Sequence, residues 1–158
     1  MNKVNLLIDE VIKKNAPLDC EHFFPGASQQ KIKRFISACE ANFGMFPPQD
    51  YLEFLKIHDG FVSDGVFLYS SSVRFTRYSR ELSFVEINRF HRDFLGDDFF
   101  EYEYCLYFGD SDMDYYVMDL KNNRYQIRER QASETITEEF NTFNELLEAM
   151  LKLVLSRE

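Results

Sequence analysis

Tryptophan is absent, and the chain is sparing with the residues that punctuate or cross-link: six glycines, four prolines and three cysteines in 158 residues. Cys20, Cys39 and Cys105 are odd in number and show no C-x-x-C spacing. That excludes a secreted disulfide framework and fits a reducing cytoplasm, which is the expected location. None of the six glycines falls in a G-x-G-x-x-G or phosphate-loop pattern, so the sequence offers no nucleotide cradle. Cys20, His22, His58 and His91 make no paired ligand spacing, and structural zinc needs four ligands in pairs. No cofactor and no metal is therefore expected. No apolar run approaches the roughly 20 residues of a membrane span. The opening "MNKVNLLIDEVIKKNAP" lacks the apolar centre of a signal peptide, because Asp9 and Glu10 interrupt it. Positive charge is also short: 18 Lys and Arg against 27 Asp and Glu leave a net charge of −9. Such a surface repels phosphates, so nucleic acid is not the expected partner and a basic protein is.

What is present is hydrophobic and aromatic. The chain has 17 Phe and 9 Tyr. A length of 158 residues suits one domain covering the whole chain, residues 1–158. A domain of this size buries roughly 70% of the surface its unfolded chain exposes, so it needs no covalent staple.

Val4, Leu7, Ile8, Val11 and Ile12 recur at helical spacing and predict a first helix over 3–14. "NAPLDCEHFFPGAS" reads as a linker, broken by Pro17 and by Pro25-Gly26. Ser28 can cap a second helix with an apolar face of Ile32, Phe35, Ile36, Cys39 and Phe43, and Gly44 is placed to end it. Pro48 fits the first turn of a third helix, with Tyr51, Leu52, Leu55 and the stem of His58 on one face, Phe54 beside them, and Gly60 as its stop. "GVFLYS" predicts a strand, and "SSVRFTRYSREL" is ambiguous. Ser83 and Glu86 have capping-box spacing, followed by Ile87, Phe90, Phe94 and Leu95 as a helical face that Gly96 closes. "YCLYFG" has the continuous apolar character of a central strand. "DYYVMDL" and "RYQIRER" flank "KNN" as a hairpin. Thr142 and Glu145 repeat the capping box before a terminal helix with Phe143, Leu146, Leu147, Met150, Leu151 and Val154 on one face. Helices at the ends and strands between them predict an α+β fold, with helices around a mixed, mostly antiparallel sheet.

Two patterns could carry chemistry. Asp110, Asp112 and Asp114 alternate like the start of a calcium loop, but loop positions six and twelve hold Tyr115 and Lys121 instead of Gly and Glu. An acidic turn between two strands is the better reading. A Cys-His nucleophile, and with it a small hydrolase, is compatible with the composition, since catalytic partners need not be adjacent in sequence. Yet Cys39 falls on a helix's apolar face and Cys105 inside a strand, where free cysteines act as small core residues. Nothing in the chain argues for an enzyme.

Charge distribution is more informative. Asp93, Asp97, Asp98, Glu101, Glu103, Asp110, Asp112 and Asp114 are uninterrupted by Lys or Arg, so the 22 residues from 93 to 114 carry −8. Phe99, Phe100, Tyr102, Tyr104 and Tyr107 interleave with them. A single charge run is usually a solvated face. Here rings supply contact area and carboxylates supply steering and pairing to Arg or Lys. The candidate partner-binding residues are Asp97, Asp98, Glu101, Tyr102, Glu103, Asp110, Asp112 and Asp114.

The stretch "PPQDYLEFLKIHDG", Pro47 to Gly60, resembles the signature of the SUKH superfamily, which includes Smi/Knr-type cell-wall regulators and many bacterial immunity proteins. Pro47, Tyr51, Phe54, Leu55 and Gly60 match; Asp59 stands near an expected Asn, and Phe61 replaces a Gly. Further matches are Phe108-Gly109, Asp114 and Asp119, with Met113 where Gly is common, and the closing "FNTFNELLEAML". The similarity spans roughly residues 28–154 in the right order. It implies a structural role for the signature residues and a non-enzymatic immunity protein that binds a toxin domain, often a nuclease. The alternative it implies is a regulatory interaction module with a host client protein. Oligomeric state is not implied either way.

Overall fold

Helix punctuation written in the sequence is realised in the backbone. The computed structural model describes residues 2–15, 23–75, 80–81, 83–95, 105–132 and 134–157. Helix α1 runs Asn2–Asn15, α2 Gln29–Phe43, α3 Gln49–Ile57, α4 Phe84–Leu95 and α5 Phe143–Ser156. Ser28 accepts a hydrogen bond from the Lys31 N–H at 3.2 Å, and Gly44 ends α2 at φ 63° with its N–H on the Glu40 carbonyl. Thr142 caps α5 and is tied to Glu145: the Glu145 N–H donates to Thr142 Oγ1 and the Thr142 hydroxyl to Glu145 Oε1, both at 3.2 Å. The six apolar positions expected to face inward on α5 are all buried.

The strands are β1 (Phe23–Pro25), β2 (His58–Ser63), β3 (Val66–Leu68), β4 (Arg74–Phe75), β5 (Arg80–Glu81), β6 (Cys105–Asp110), β7 (Asp114–Asp119), β8 (Arg124–Glu129) and β9 (Ile136–Phe140). Seven of them form one sheet in the order β1-β2-β3-β6-β7-β8-β9, and β4 pairs with β5 alone. Every pairing of named strands is antiparallel. Parallel pairing appears among the described residues as an isolated bridge, Ser70 with Ser83. The architecture is α+β, as expected.

Strand β6 is the centre of the sheet, buried from Cys105 to Gly109. Its edge toward β3 is only partly occupied by a strand, because β3 ends at Leu68 opposite Gly109. Asn88 of α4 continues the ladder there. Its Nδ2 donates to the Tyr107 carbonyl at 2.9 Å and its Oδ1 accepts from the Tyr107 N–H at 2.7 Å. A side-chain amide thus stands in for a peptide group and docks a helix on the strand edge beyond the end of β3.

One aromatic cluster unites the layers. The Tyr51 ring lies 5.0 Å from Phe108, 5.1 Å from Phe143, 5.6 Å from Phe84 and 5.9 Å from Phe35. All five rings are essentially buried. The Tyr51 hydroxyl donates to the Tyr69 carbonyl at 2.6 Å, so the one polar atom in the cluster is satisfied. Burial, and then the nearby Asp59 charge, hold its phenol well above the usual value.

Several local expectations are corrected. The stretch expected as a linker contains edge strand β1, paired through Phe23 and Phe61. Helix α3 ends at Ile57, and Gly60 lies inside β2 at φ 92°. A side chain at Gly60 would bring its Cβ to 2.7 Å from the Leu68 carbonyl oxygen. The glycine therefore serves the close approach of β3 and does not stop a helix. On α4, Phe90 is half-exposed while Asn88 and His91 are buried along with Phe84, so the inward face carries two polar residues beside an aromatic one. Ile12 of α1 is also exposed, while Val4, Ile8 and Val11 are buried. The expected helix stop at Gly96 lies outside the described residues.

Candidate partner-binding surface

The β6–β7 hairpin turn carries three of the eight carboxylates and rings expected to meet a partner. Asp97, Asp98, Glu101, Tyr102 and Glu103 lie outside the described residues. Asp110, Asp112 and Asp114 do form the expected acidic turn, with the Ser111 N–H on the Asp114 carbonyl at 2.9 Å. Their environments differ sharply.

Asp110 accepts a hydrogen bond from the Tyr69 phenol and pairs with Arg130 Nη1 at 3.3 Å. Asp112 pairs with Arg157 Nη2 at 2.6 Å, which holds its carboxyl below the usual value. Arg157 also donates to the Asp64 carbonyl at 2.7 Å, so one guanidinium ties the β2–β3 and β6–β7 turns together. Two of the three aspartates are thus already matched by arginines of the same chain.

The Asp114 carboxylate has no hydrogen-bond or ion-pair partner among the described residues. It stands directly opposite Glu129 in the β7–β8 register, and like charges in that position repel. Partial burial, then Glu129 and Asp112, raise its pKa above the ordinary aspartate value.

Register also sets what Asp114 faces. Asp114 and Tyr116 on β7, Ile127 on β8 and Glu138 on β9 share one face of the sheet, because Tyr116 pairs with Ile127 and Ile127 with Glu138. That face looks toward α5. Between them runs an open groove, with Tyr116, Ile127, Ala149 and Leu153 supplying apolar walls and Asp114, Glu138 and Lys152 polar ones. Toward Phe140 the groove continues past Glu145 and Glu148. Lys152 is engaged by Glu148 at 2.9 Å, and Lys3 of α1 reaches the same carboxylate at 2.8 Å. At the Asp114 end, Arg157, itself paired with Asp112, offsets part of the negative charge. The stretch "ITEEF" carries no strand signal of its own, and only the register places Glu138 on the face of Asp114.

Groups that could perform catalysis are differently placed. Cys39 is fully buried, and burial pushes its thiol up to about 12, far from the thiolate a nucleophile needs. Cys105 is buried in β6, and Cys20 and His22 lie outside the described residues. His58 is half-buried and lowered chiefly by burial. His91 is lowered to about 4 by burial and by Arg130. Among the described residues no group of three or more His, Cys, Asp or Glu could hold a metal ion, and no helix is long and apolar enough to cross a membrane.

The model of the SMI1 / KNR4 family (SUKH-1) matches residues 27–149, close to the span over which the sequence motifs run. A search of curated proteins returns no match.

Proposed function

The chain belongs to the SMI1 / KNR4 family (SUKH-1), and from that premise we propose that it is a non-enzymatic immunity protein, which binds a bacterial toxin domain and neutralises it through an acidic and aromatic surface. The toxin in this reading is basic, and a nuclease suits best, because a site that holds nucleic-acid phosphates is itself cationic. The binding event belongs to the cytoplasm, where a toxin would reach its target.

The observation that carries the reading is where the family signature goes. Tyr51, Phe54 and Leu55 are spent in the core, at 0%, 3% and 0% exposure. Gly60 is held by the approach of β3. The matched signature thus builds a scaffold, and function falls to the surface. That surface belongs to a chain of net charge −9, with −8 concentrated between residues 93 and 114. Electrostatic steering of a cationic partner follows from such a distribution.

The test begins with the tagged chain retained in its native cell and the captured protein identified. The captured protein, expressed alone, should arrest growth, and the chain should restore growth while forming a stoichiometric complex. Reversing Asp97 and Asp98 to Lys, or Glu101 and Glu103 to Lys, should slow association and flatten its salt dependence. Reversal of Lys31 and Lys33 on α2 serves as the control. A captured protein that is harmless when expressed would favour the regulatory-module reading. Protection at far below stoichiometric amounts would favour a catalytic one.

A further inference from the structure

The geometry points to the groove between α5 and strands β7–β9 as the seat of an arginine side chain of the partner protein, with Asp114 as its ion-pair acceptor. This inference deepens the immunity reading and rests on it for the partner's identity.

Three observations converge on that groove. Asp114 is partly buried there and lacks a partner among the described residues, while Asp110 and Asp112 have arginines of their own. Its register neighbour is Glu129, and Glu138 lies on the same face one strand further on, so the local field is negative and only partly offset by Arg157, which Asp112 holds. The walls beside it are Tyr116, Ile127 and Leu153. An extended side chain with an apolar stem and a cationic head matches this arrangement: stem along the ring and aliphatic walls, head between Asp114 and Glu138. Arginine fits better than lysine, because its planar fork can engage two carboxylates and is less costly to take from water. Arginine is also a recurrent anchor of protein interfaces. The nearby Lys152 does not fill the role, since its ammonium is held by Glu148 at 2.9 Å.

The arrangement also explains why a fold would retain two opposed carboxylates. Glu129 against Asp114 weakens the free protein. A residue kept at the expense of the fold but used in binding has a distinctive signature: its neutralisation stabilises the free chain and weakens the complex.

The experiment uses the full chain, labelled with nitrogen-15, titrated with Nα-acetyl-arginine methylamide and, in parallel, with the neutral citrulline analogue. Saturable shifts are expected at the amides of residues 114, 116, 127, 138, 149 and 152 with arginine only. Asp114→Asn should raise the urea midpoint of the free chain and weaken the arginine titration by about tenfold or more. Glu53→Gln, at an exposed carboxylate paired with Lys56 on α3, should leave the titration unchanged. The inference is overturned if citrulline shifts the same amides equally, if arginine shifts none of them, or if Asp114→Asn leaves the titration intact. Once the toxin domain is in hand, its retention by Asp114→Asn at wild-type affinity would sink the groove and leave the immunity reading standing. Failure of the wild-type chain to retain any toxin would sink that reading, while the arginine titration would still report on the groove.

Discussion

Asp59 and Ser71 are joined twice. The Ser71 N–H donates to Asp59 Oδ1 at 2.8 Å and the Ser71 hydroxyl to Oδ2 at 3.0 Å, around a carboxylate with 0% exposure. The pair fastens β2 to the segment leaving β3, beside the Tyr51 hydroxyl that binds the Tyr69 carbonyl. A buried carboxylate held this way is a structural bolt. Asp59→Ala should lower stability by about 3 kcal/mol or more, since it strands the two Ser71 donors. Asp59→Asn keeps an acceptor for the Ser71 N–H and should cost less. Urea unfolding of the three chains checks the order. Equal loss from Asn and Ala would show that charge, and not hydrogen bonding, is what the site requires.

Tyr51 should behave as a core residue with a polar tip. Tyr51→Ala empties a site bounded by Phe35, Phe84, Phe108 and Phe143, and a loss of about 3 kcal/mol or more is expected. Tyr51→Phe keeps the ring and forfeits the bond to the Tyr69 carbonyl, for about 1 kcal/mol. The check is chemical unfolding alongside partner binding. A fully stable Tyr51→Ala chain that had lost its partner would overturn the structural reading of the signature.

How much of this was legible depends on whether local chemistry and tertiary placement agree. In α2 and α5 they agree: Ser28, Gly44 and Thr142 punctuate helices whose apolar residues recur on one face, and the structure follows them. The hairpin of β7 and β8 was readable from "KNN" between two apolar runs, and in the structure Asn123 takes the left-handed region there at φ 52°. In α4 they disagree. Beyond Phe84, whose ring lies 5.2 Å from Phe108, it meets the sheet through Asn88, whose amide reproduces a strand's hydrogen bonds, and through His91, stacked 4.0 Å from the Tyr107 ring. Neither Asn88 nor His91 looks inward by hydrophobicity, while Phe90, which does, is half-exposed. Strand β2 was hidden because Gly60 after a helical run looks like a C-cap, and only the 2.7 Å approach to Leu68 reveals its other duty.

At the surface, the excess of negative charge could be counted, but its state could not. Arg130 and Arg157 lie 20 and 45 residues from Asp110 and Asp112. Nothing in the local pattern shows that these two aspartates are paired and Asp114 is not. The opposition of Asp114 to Glu129 is likewise a property of strand register.

Calcium should have no effect on the β6–β7 turn. Asp110 and Asp112 hold Arg130 and Arg157, and the positions that would complete a calcium loop are Tyr115 and Lys121. Neither millimolar calcium nor a chelator should move the melting temperature. A clear rise on adding calcium would mean that the carboxylates release their arginines for a cation.

Acid should weaken the fold through His91. The imidazole is buried, stacked on Tyr107 and edge-on to Tyr115 at 5.8 Å, and Arg130 also faces Tyr115, its guanidinium 5.0 Å from the ring centre. Burial first, and Arg130 second, lower its pKa from 6.5 to about 4. The folded state therefore binds fewer protons than the unfolded state between those values. Stability from this group is fully present above about pH 6.5, declines as pH falls, and is lost once pH passes 4. The span corresponds to roughly 3 kcal/mol. Asp114 acts in the opposite sense: its raised pKa means that it binds a proton more readily in the fold, so acidification relieves its repulsion with Glu129. Separating the two requires His91→Phe, which preserves a ring against Tyr107 and removes the titration. Urea midpoints measured from pH 7 down to pH 4.5 should fall more steeply for the wild type than for His91→Phe. Parallel slopes would mean that the imidazole accepts its proton without leaving the stack, and the burial argument for its lowered pKa would fail.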